Sequence, residues 1–171
     1  MANEMDVFVK LLSLAKSLKG FGVNDLRDLL GISSKAIWKA GEHVFLEGDR
    51  GRDMYIICSG KVIIWRKNGT EKVTLANLVE GESFGEMGLI RGGARSATAT
   101  AVEQTIALRI NQERLHQVPS AAALLYKNLA RELAGKLNVA NDIIVCNSRA
   151  GGSQPRDQKE KSLWQHVEGD D

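Results

Sequence analysis

The segment Phe84-Gly-Glu-Met-Gly-Leu-Ile90, followed by Arg95-Ser-Ala-Thr-Ala-Thr-Ala101, carries residue types suited to holding a phosphate beside a sugar. Gly85 and Gly88 let the backbone turn tightly and approach a ligand without Cβ interference. A short helical turn at this point aims unpaired N–H groups at an anion. Glu86 is an acceptor-only side chain fit for ribose hydroxyls. Further along, Arg95 supplies a rigid fork of donors suited to a phosphate, and Ser96 adds a hydroxyl beside it. A lone Gly-Glu pair is a turn, and a lone surface arginine is solvated. The ordered set of aromatic, Gly, Glu, apolar, small, apolar, Gly-rich excursion, Arg, small, small is what points to a pocket.

The elements that position this segment are legible from periodicity. Residues 3–30 read as helical, with Phe8, Leu11, Leu12, Ala15 and Leu18 at helical spacing. Gly20 and Gly22 interrupt that face, and a short helix is expected near Asn24–Leu30, capped by Asn24 and stopped by Gly31. Between Lys35 and Ile110 the period becomes two. Strands are expected at Ala36–Trp38, His43–Leu46, Met54–Cys58, Val62–Trp65, Val73–Leu78, Ser96–Ala101 and Thr105–Ile110. Ten of the 17 glycines fall between residues 41 and 93, which sets turns at the intervals of an antiparallel jelly roll. Asn68-Gly69 is the strongest hairpin signal. Helical spacing returns after Asn111, and Pro119 opens a longer helix over residues 120–145. The expected organisation is therefore N-terminal helices in 1–34, a jelly roll in 35–110 with the cassette at 84–101, C-terminal helices in 111–146, and a polar, disordered tail in 147–171. Leu163-Trp164 is the one apolar island of that tail.

Length and composition bound the class. A chain of 171 residues suits one domain plus a tail, and 43% hydrophobic with 26% charged residues is ordinary for a globular protein. A net charge of +2 gives no strong steering toward nucleic acid or membrane. Cys58 and Cys146 show no metal or redox spacing and read as reduced thiols of a cytoplasmic protein. Val7–Leu18 is broken by Lys10, Ser13 and Lys16, so it reads as amphipathic rather than as a signal peptide.

Helices, short strands with an embedded cassette, then a long helix resemble the cyclic nucleotide-binding domain family. The resemblance extends over residues 15–140. It includes Lys39-Ala-Gly41-Glu, Leu46-Glu-Gly48-Asp, Met54-Tyr-Ile-Ile57, Ser59-Gly60-Lys-Val62 and Glu80-Gly81-Glu-Ser-Phe84. It implies a receptor for a cyclic nucleotide and no enzyme. Glu86 then matches the acceptor of the ribose 2′-hydroxyl, and Arg95 the partner of the cyclic phosphate. Gly85, Ser96 and Ala97 match backbone or hydroxyl contacts to sugar and phosphate. Ile64 and Leu75 fall where apolar residues pack on the base, or belong simply to the core. Lys136, Asn138 and Asn141 are candidates for a base cap from the long helix. Threonine directly after the arginine accompanies cyclic GMP preference in the family; Ser96-Ala97 here favours cyclic AMP, with cyclic GMP the alternative. Ala94 stands where many members have proline, which predicts a more mobile Arg91–Ala94 loop.

Partners follow the same lines. Members that read DNA continue into a helix-turn-helix, and the polar tail here does not resemble one, so no direct DNA contact is expected. No membrane contact is expected either. The long helix carries Leu124, Leu125, Leu129, Leu133, Leu137, Ile143 and Ile144, more apolar surface than one stripe needs. The surplus around Tyr126, Leu133, Leu137 and Ala140 predicts a homodimer through residues 120–145, beside an unidentified protein effector. Two rivals remain. A metal enzyme on a jelly roll needs clustered histidines, whereas His43, His116 and His166 are scattered. A pure interaction module with a weakened pocket would leave the cassette charges without a ligand.

Overall fold

The structure is a computed structural model describing residues 15–150, with side chains through residue 147. Phe8, Leu11 and Leu12 of the expected first helix lie outside the described residues, as do Leu163, Trp164 and His166. The described chain divides into two units, one ending at Glu132 and one beginning at Leu133.

In the first unit a 3-10 turn at Lys16–Leu18 precedes helix α1 (Val23–Ile32). Its N-cap is Gly22 rather than the expected Asn24. Asp25 decides this, because its carboxylate reaches back to accept from the Gly22 N–H at 3.1 Å. Gly31 does not stop the helix. The chain leaves through Ser33, whose hydroxyl donates to the Leu29 carbonyl at 2.6 Å and so satisfies an otherwise open acceptor.

Eight strands follow: β1 (Ser34–Trp38), β2 (His43–Phe45), β3 (Asp53–Ser59), β4 (Val62–Asn68), β5 (Glu71–Leu78), β6 (Ser83–Phe84), β7 (Thr98–Ala101) and β8 (Thr105–Asn111). They form two antiparallel four-stranded sheets, β1-β8-β3-β6 and β2-β7-β4-β5. This is the jelly-roll arrangement expected from the glycine spacing. The β4–β5 hairpin closes with Asn68 opposite Glu71 and Gly69 at φ 62°. Strand β6, two residues long, shows no alternation in the sequence. β7 begins at Thr98 rather than Ser96, because the backbone before it pairs elsewhere. Arg95 N–H donates to the Asp49 carbonyl at 2.8 Å, and Gly48 N–H to the Arg95 carbonyl at 2.9 Å.

β3 is buried on both faces, and the parity of its residues sorts two cores. Met54, Ile56 and Cys58 join Leu108 and Ile110 of β8 against a helical layer of Leu26, Leu29, Leu115, Leu125 and Leu129. Tyr55 and Ile57 point the other way, to meet Val62, Phe84, Ala99 and Ala107 between the sheets. The helical layer comes from α1, from the short α3 (Gln112–Leu115) and from the start of α4 (Pro119–Ala150). A further short helix, α2 (Glu86–Arg91), lies within the cassette. Ala121, Ala122, Leu125 and Leu129 form the buried stripe of α4 at helical spacing.

The described residues of the second unit are the remainder of α4, which runs past residue 145 to Ala150. It exposes Leu137, Val139, Ile143 and Ile144, each more than half accessible. Among the described residues no helix is long and apolar enough to cross a membrane.

The turn from β3 to β4 leaves no room for a side chain. Gly60 has φ 93°, and a Cβ there would lie 2.5 Å from the Gln104 carbonyl oxygen and 2.7 Å from Thr105 Cα. Thr105 is itself fully buried and bonded to Lys61 through its hydroxyl. Backbone cannot move aside as a flexible side chain can. Gly60→Ala is expected to lower stability by about 2 kcal/mol or more, read as a fall in the urea midpoint at unchanged slope.

Candidate functional site

The cassette forms around Arg95, which is only 6% exposed. Its Nη1 donates to the backbone carbonyl of Asp53 at 2.8 Å and to that of Gly85 at 3.2 Å. The guanidinium carbon stands 4.1 Å from the centroid of Phe45, a cation–π contact of about 0.5–2 kcal/mol. Its Nε is buried and, among the described residues, has no hydrogen-bond partner. Among the described residues no carboxylate lies within ion-pair distance of it. Burial pulls the pKa of Arg95 below its ordinary value, against the opposing pull of Tyr55, Asp53 and Asp49.

Three glycines make the space for this side chain. A Cβ on Gly51 would lie 2.7 Å from Nη2, one on Gly85 would lie 2.9 Å from Nη1, and one on Gly88 would run into Nη1. Gly85 also has φ 78°, the left-handed conformation from which α2 starts. The sequence marked Gly85 and Gly88 for backbone freedom. Gly88 has an ordinary φ, and the room it leaves for the guanidinium is what the structure adds.

The remaining candidates sort by element. Glu86 opens α2 and is half-buried; Ser96 is exposed beside the buried Arg95 and Ala97. Ile64 is half-buried and packs on the inter-sheet core. Leu75 is 54% exposed and is not opposite Ile64, which pairs with Ala76. It is the extra residue of a bulge, since Trp65 pairs with Thr74 and Ile64 with Ala76. Lys136, Asn138 and Asn141 belong to the second unit, where all three are exposed. Tyr126, grouped by sequence with the dimer face, packs on the helical core, and its hydroxyl lies 3.3 Å from His116 Nε2.

Sequence reasoning missed Phe45, Gly51, Asp53, Arg109 and Asn111. The signal for Gly51 lay next to Leu46-Glu-Gly48-Asp, the stretch that carries the family resemblance and stops two residues short of it. Asp53 accepts from Arg109 Nη2 and from Asn111 Nδ2, each at 2.9 Å, through its two carboxylate oxygens. Among the described residues no group of three or more His, Cys, Asp or Glu side chains could hold a metal ion.

Two antiparallel sheets thus hold a buried, aromatic-floored arginine beside a glycine-lined turn. The model of the cyclic nucleotide-binding domain matches residues 36–121, and the chain belongs to that family. It is 38% identical over 113 residues to the cyclic AMP receptor protein of Thermus thermophilus, a match covering 66% of this chain and 52% of that protein. It is 34% identical over 96 residues to a cGMP-dependent protein kinase of Eimeria tenella, covering 56% of this chain and 9% of that protein. The crystal structure of the Thermus thermophilus catabolite activator protein superposes with a TM-score of 0.73 at 33% identity, over 78% of this chain and 63% of that one. The chain thus spans about half, or less, of these curated relatives.

Asp53 predicts a pH dependence. Burial raises its pKa, but the hydrogen bonds from Arg109 and Asn111 and the charges of Arg109 and Arg95 outweigh it, and the net value is lowered from the ordinary 3.8. Tyr55 also faces the carboxylate, neutral over the acid range. A carboxyl with a folded pKa below its unfolded one stabilises fully above the unfolded value and loses that contribution as pH falls through the folded one. Urea unfolding between about pH 6 and about pH 2 is therefore expected to show wild type more stable than Asp53→Asn at the upper end, the gap closing below about pH 4.

Proposed function

We propose that this chain is a cyclic nucleotide receptor whose ligand is cyclic AMP, and that occupancy is signalled through the C-terminal helix to a protein partner. The observation that carries this is Arg95: a buried guanidinium that has, among the described residues, no carboxylate partner and no partner for its Nε. An uncompensated buried charge costs several kcal/mol, and an anion is what offsets it. A cyclic phosphate supplies one negative charge and accepting oxygens of the right spacing.

In this arrangement Arg95 takes the phosphate, with Gly85, Ser96 and Ala97 contributing backbone or hydroxyl contacts. Glu86 accepts from the ribose 2′-hydroxyl. Ile64 and Leu75 offer apolar surface to the base. The role is binding and regulation rather than catalysis. Similarity to a protein named a cyclic AMP receptor supports cyclic AMP, as does Ser96-Ala97. Similarity to a kinase named for cyclic GMP keeps cyclic GMP as the second ligand to be tested. The second unit supports a dimer, because Leu133, Leu137, Ala140 and Ile144 recur at the four-three-four spacing of a coiled-coil seam.

Isothermal titration with each nucleotide tests the ligand, and cyclic AMP is expected to bind more tightly. Arg95→Ala is expected to weaken binding by about tenfold to a few hundredfold, and Arg95→Lys to restore part of it, since a point charge lacks the fork. Unchanged affinity in Arg95→Ala overturns the assignment. A 2′-deoxy analogue is expected to bind wild type poorly, with the deficit narrowed in Glu86→Gln. Light scattering at micromolar concentration is expected to report a dimer that Leu137→Glu converts to monomer.

A further inference from the structure

The segment Gly51-Arg52-Asp53 touches both the cassette and the start of the C-terminal helices. On one side Gly51 leaves room for the Arg95 guanidinium, and the Asp53 carbonyl accepts its Nη1 at 2.8 Å. On the other side the same residues hold α3. Gln112 N–H donates to the Arg52 carbonyl at 3.0 Å, and Arg52 Nη1 meets Glu113 Oε1 at 2.8 Å. That ion pair is exposed and contributes little. The Asp53 carboxylate is different, with its side chain 11% exposed and Asn111 Nδ2 donating to it at 2.9 Å.

Asn111 is a two-ended connector. Its Nδ2 sits on Asp53, while its Oδ1 accepts from the α3 N–H groups of Glu113 at 3.0 Å and Arg114 at 3.4 Å. A carboxamide is planar, so moving one end tilts the other. α3 in turn anchors fully buried Leu115 in the helical core beside Leu125 and Leu129 of α4. Every link from Arg95 to α3 is therefore a hydrogen bond between named atoms within the first unit.

We propose that Asp53 is a positioning residue that couples the phosphate arginine to α3, its carbonyl holding Arg95 and its carboxylate holding the Asn111 cap. This rests on the assignment of Arg95 to the phosphate of a cyclic nucleotide. An oxyanion is a stronger acceptor than a peptide carbonyl. A phosphate arriving at the Nε side of Arg95 draws the guanidinium toward it, the Asp53 carbonyl on Nη1 follows, and β3 adjusts at its first residue. The carboxylate moves with the backbone, and Asn111 carries the displacement to the first N–H groups of α3. The ligand thereby gains different interaction free energies with two arrangements of α3, which is what coupling requires.

The test is amide hydrogen exchange at Glu113 and Arg114, read by NMR on the full chain with and without saturating cyclic AMP. In wild type the ligand is expected to change these rates by about tenfold. Asn111→Ser keeps a hydroxyl able to cap α3 but is too short to reach Asp53. It is expected to bind cyclic AMP within about threefold of wild type and to lose the response at these amides. Asp53→Asn, which keeps the carbonyl and removes the charge, is expected to reduce the response, and it serves if Asn111→Ser fails to fold. A merely structural role would leave the ligand-induced difference intact. Binding without any response in wild type, or an undiminished response in both variants, overturns the coupling and leaves the ligand assignment standing. Absence of cyclic AMP binding to wild type in the calorimeter overturns both.

Discussion

The Arg95 guanidinium, buried and without a carboxylate among the described residues, constrains more of this domain than any other group. Removing such a charge from water costs several kcal/mol, so everything around Arg95 must repay part of it. Two backbone carbonyls accept from Nη1, and the Phe45 ring presents its negative face. Gly51, Gly85 and Gly88 lack side chains where a Cβ would collide with it. These partners come from the β2 strand, the loop before β3, β3 itself and the cassette, so one side chain fixes the mutual placement of four segments. Among the described residues nothing accepts from Nε.

The backbone is arranged to keep Arg95 in place. Residues 48–51 and 93–95 pair through three hydrogen bonds of 2.8–3.1 Å and a bridge between Arg50 and Ala94. The glycine-rich excursion before the arginine is therefore tied down at its end, although Ala94 replaces the stiffening proline. Below it, Tyr55 stacks on Phe84 with centroids 5.2 Å apart, and Phe45 packs on both. The aromatic floor of the cassette is thus also the inter-sheet core, and the site cannot deform without disturbing the packing that holds the two sheets together.

β3 connects this site to the rest. Its alternation sends Tyr55 and Ile57 to the sheets and Met54 and Ile56 to the helices. A strand buried on both faces transmits displacement because neither side has slack. Membership of the cyclic nucleotide-binding domain family explains why the cassette exists. The network of Asp53, Arg109 and Asn111 explains how this chain joins its cassette to α3.

Local chemistry made much of the molecule legible from sequence. Period-two runs separated by glycines gave the strands, Asn68-Gly69 the hairpin and Pro119 the long helix, because each depends on neighbours a few residues away. The order Gly85, Glu86, Arg95, Ser96 marked the cassette for the same reason. Helix ends were read less well. Asp25 reaching back to Gly22 displaced the cap from Asn24, and Gly31 was carried through by the packing of Leu29. Only the tertiary structure decided that Gly51 and Gly88 exist to make room for a guanidinium, that Leu75 sits in a bulge rather than facing Ile64, and that Asp53 meets both Arg95 and Asn111. Most of those contacts join residues dozens of positions apart, and periodicity along a chain carries no information about which strand will lie beside which.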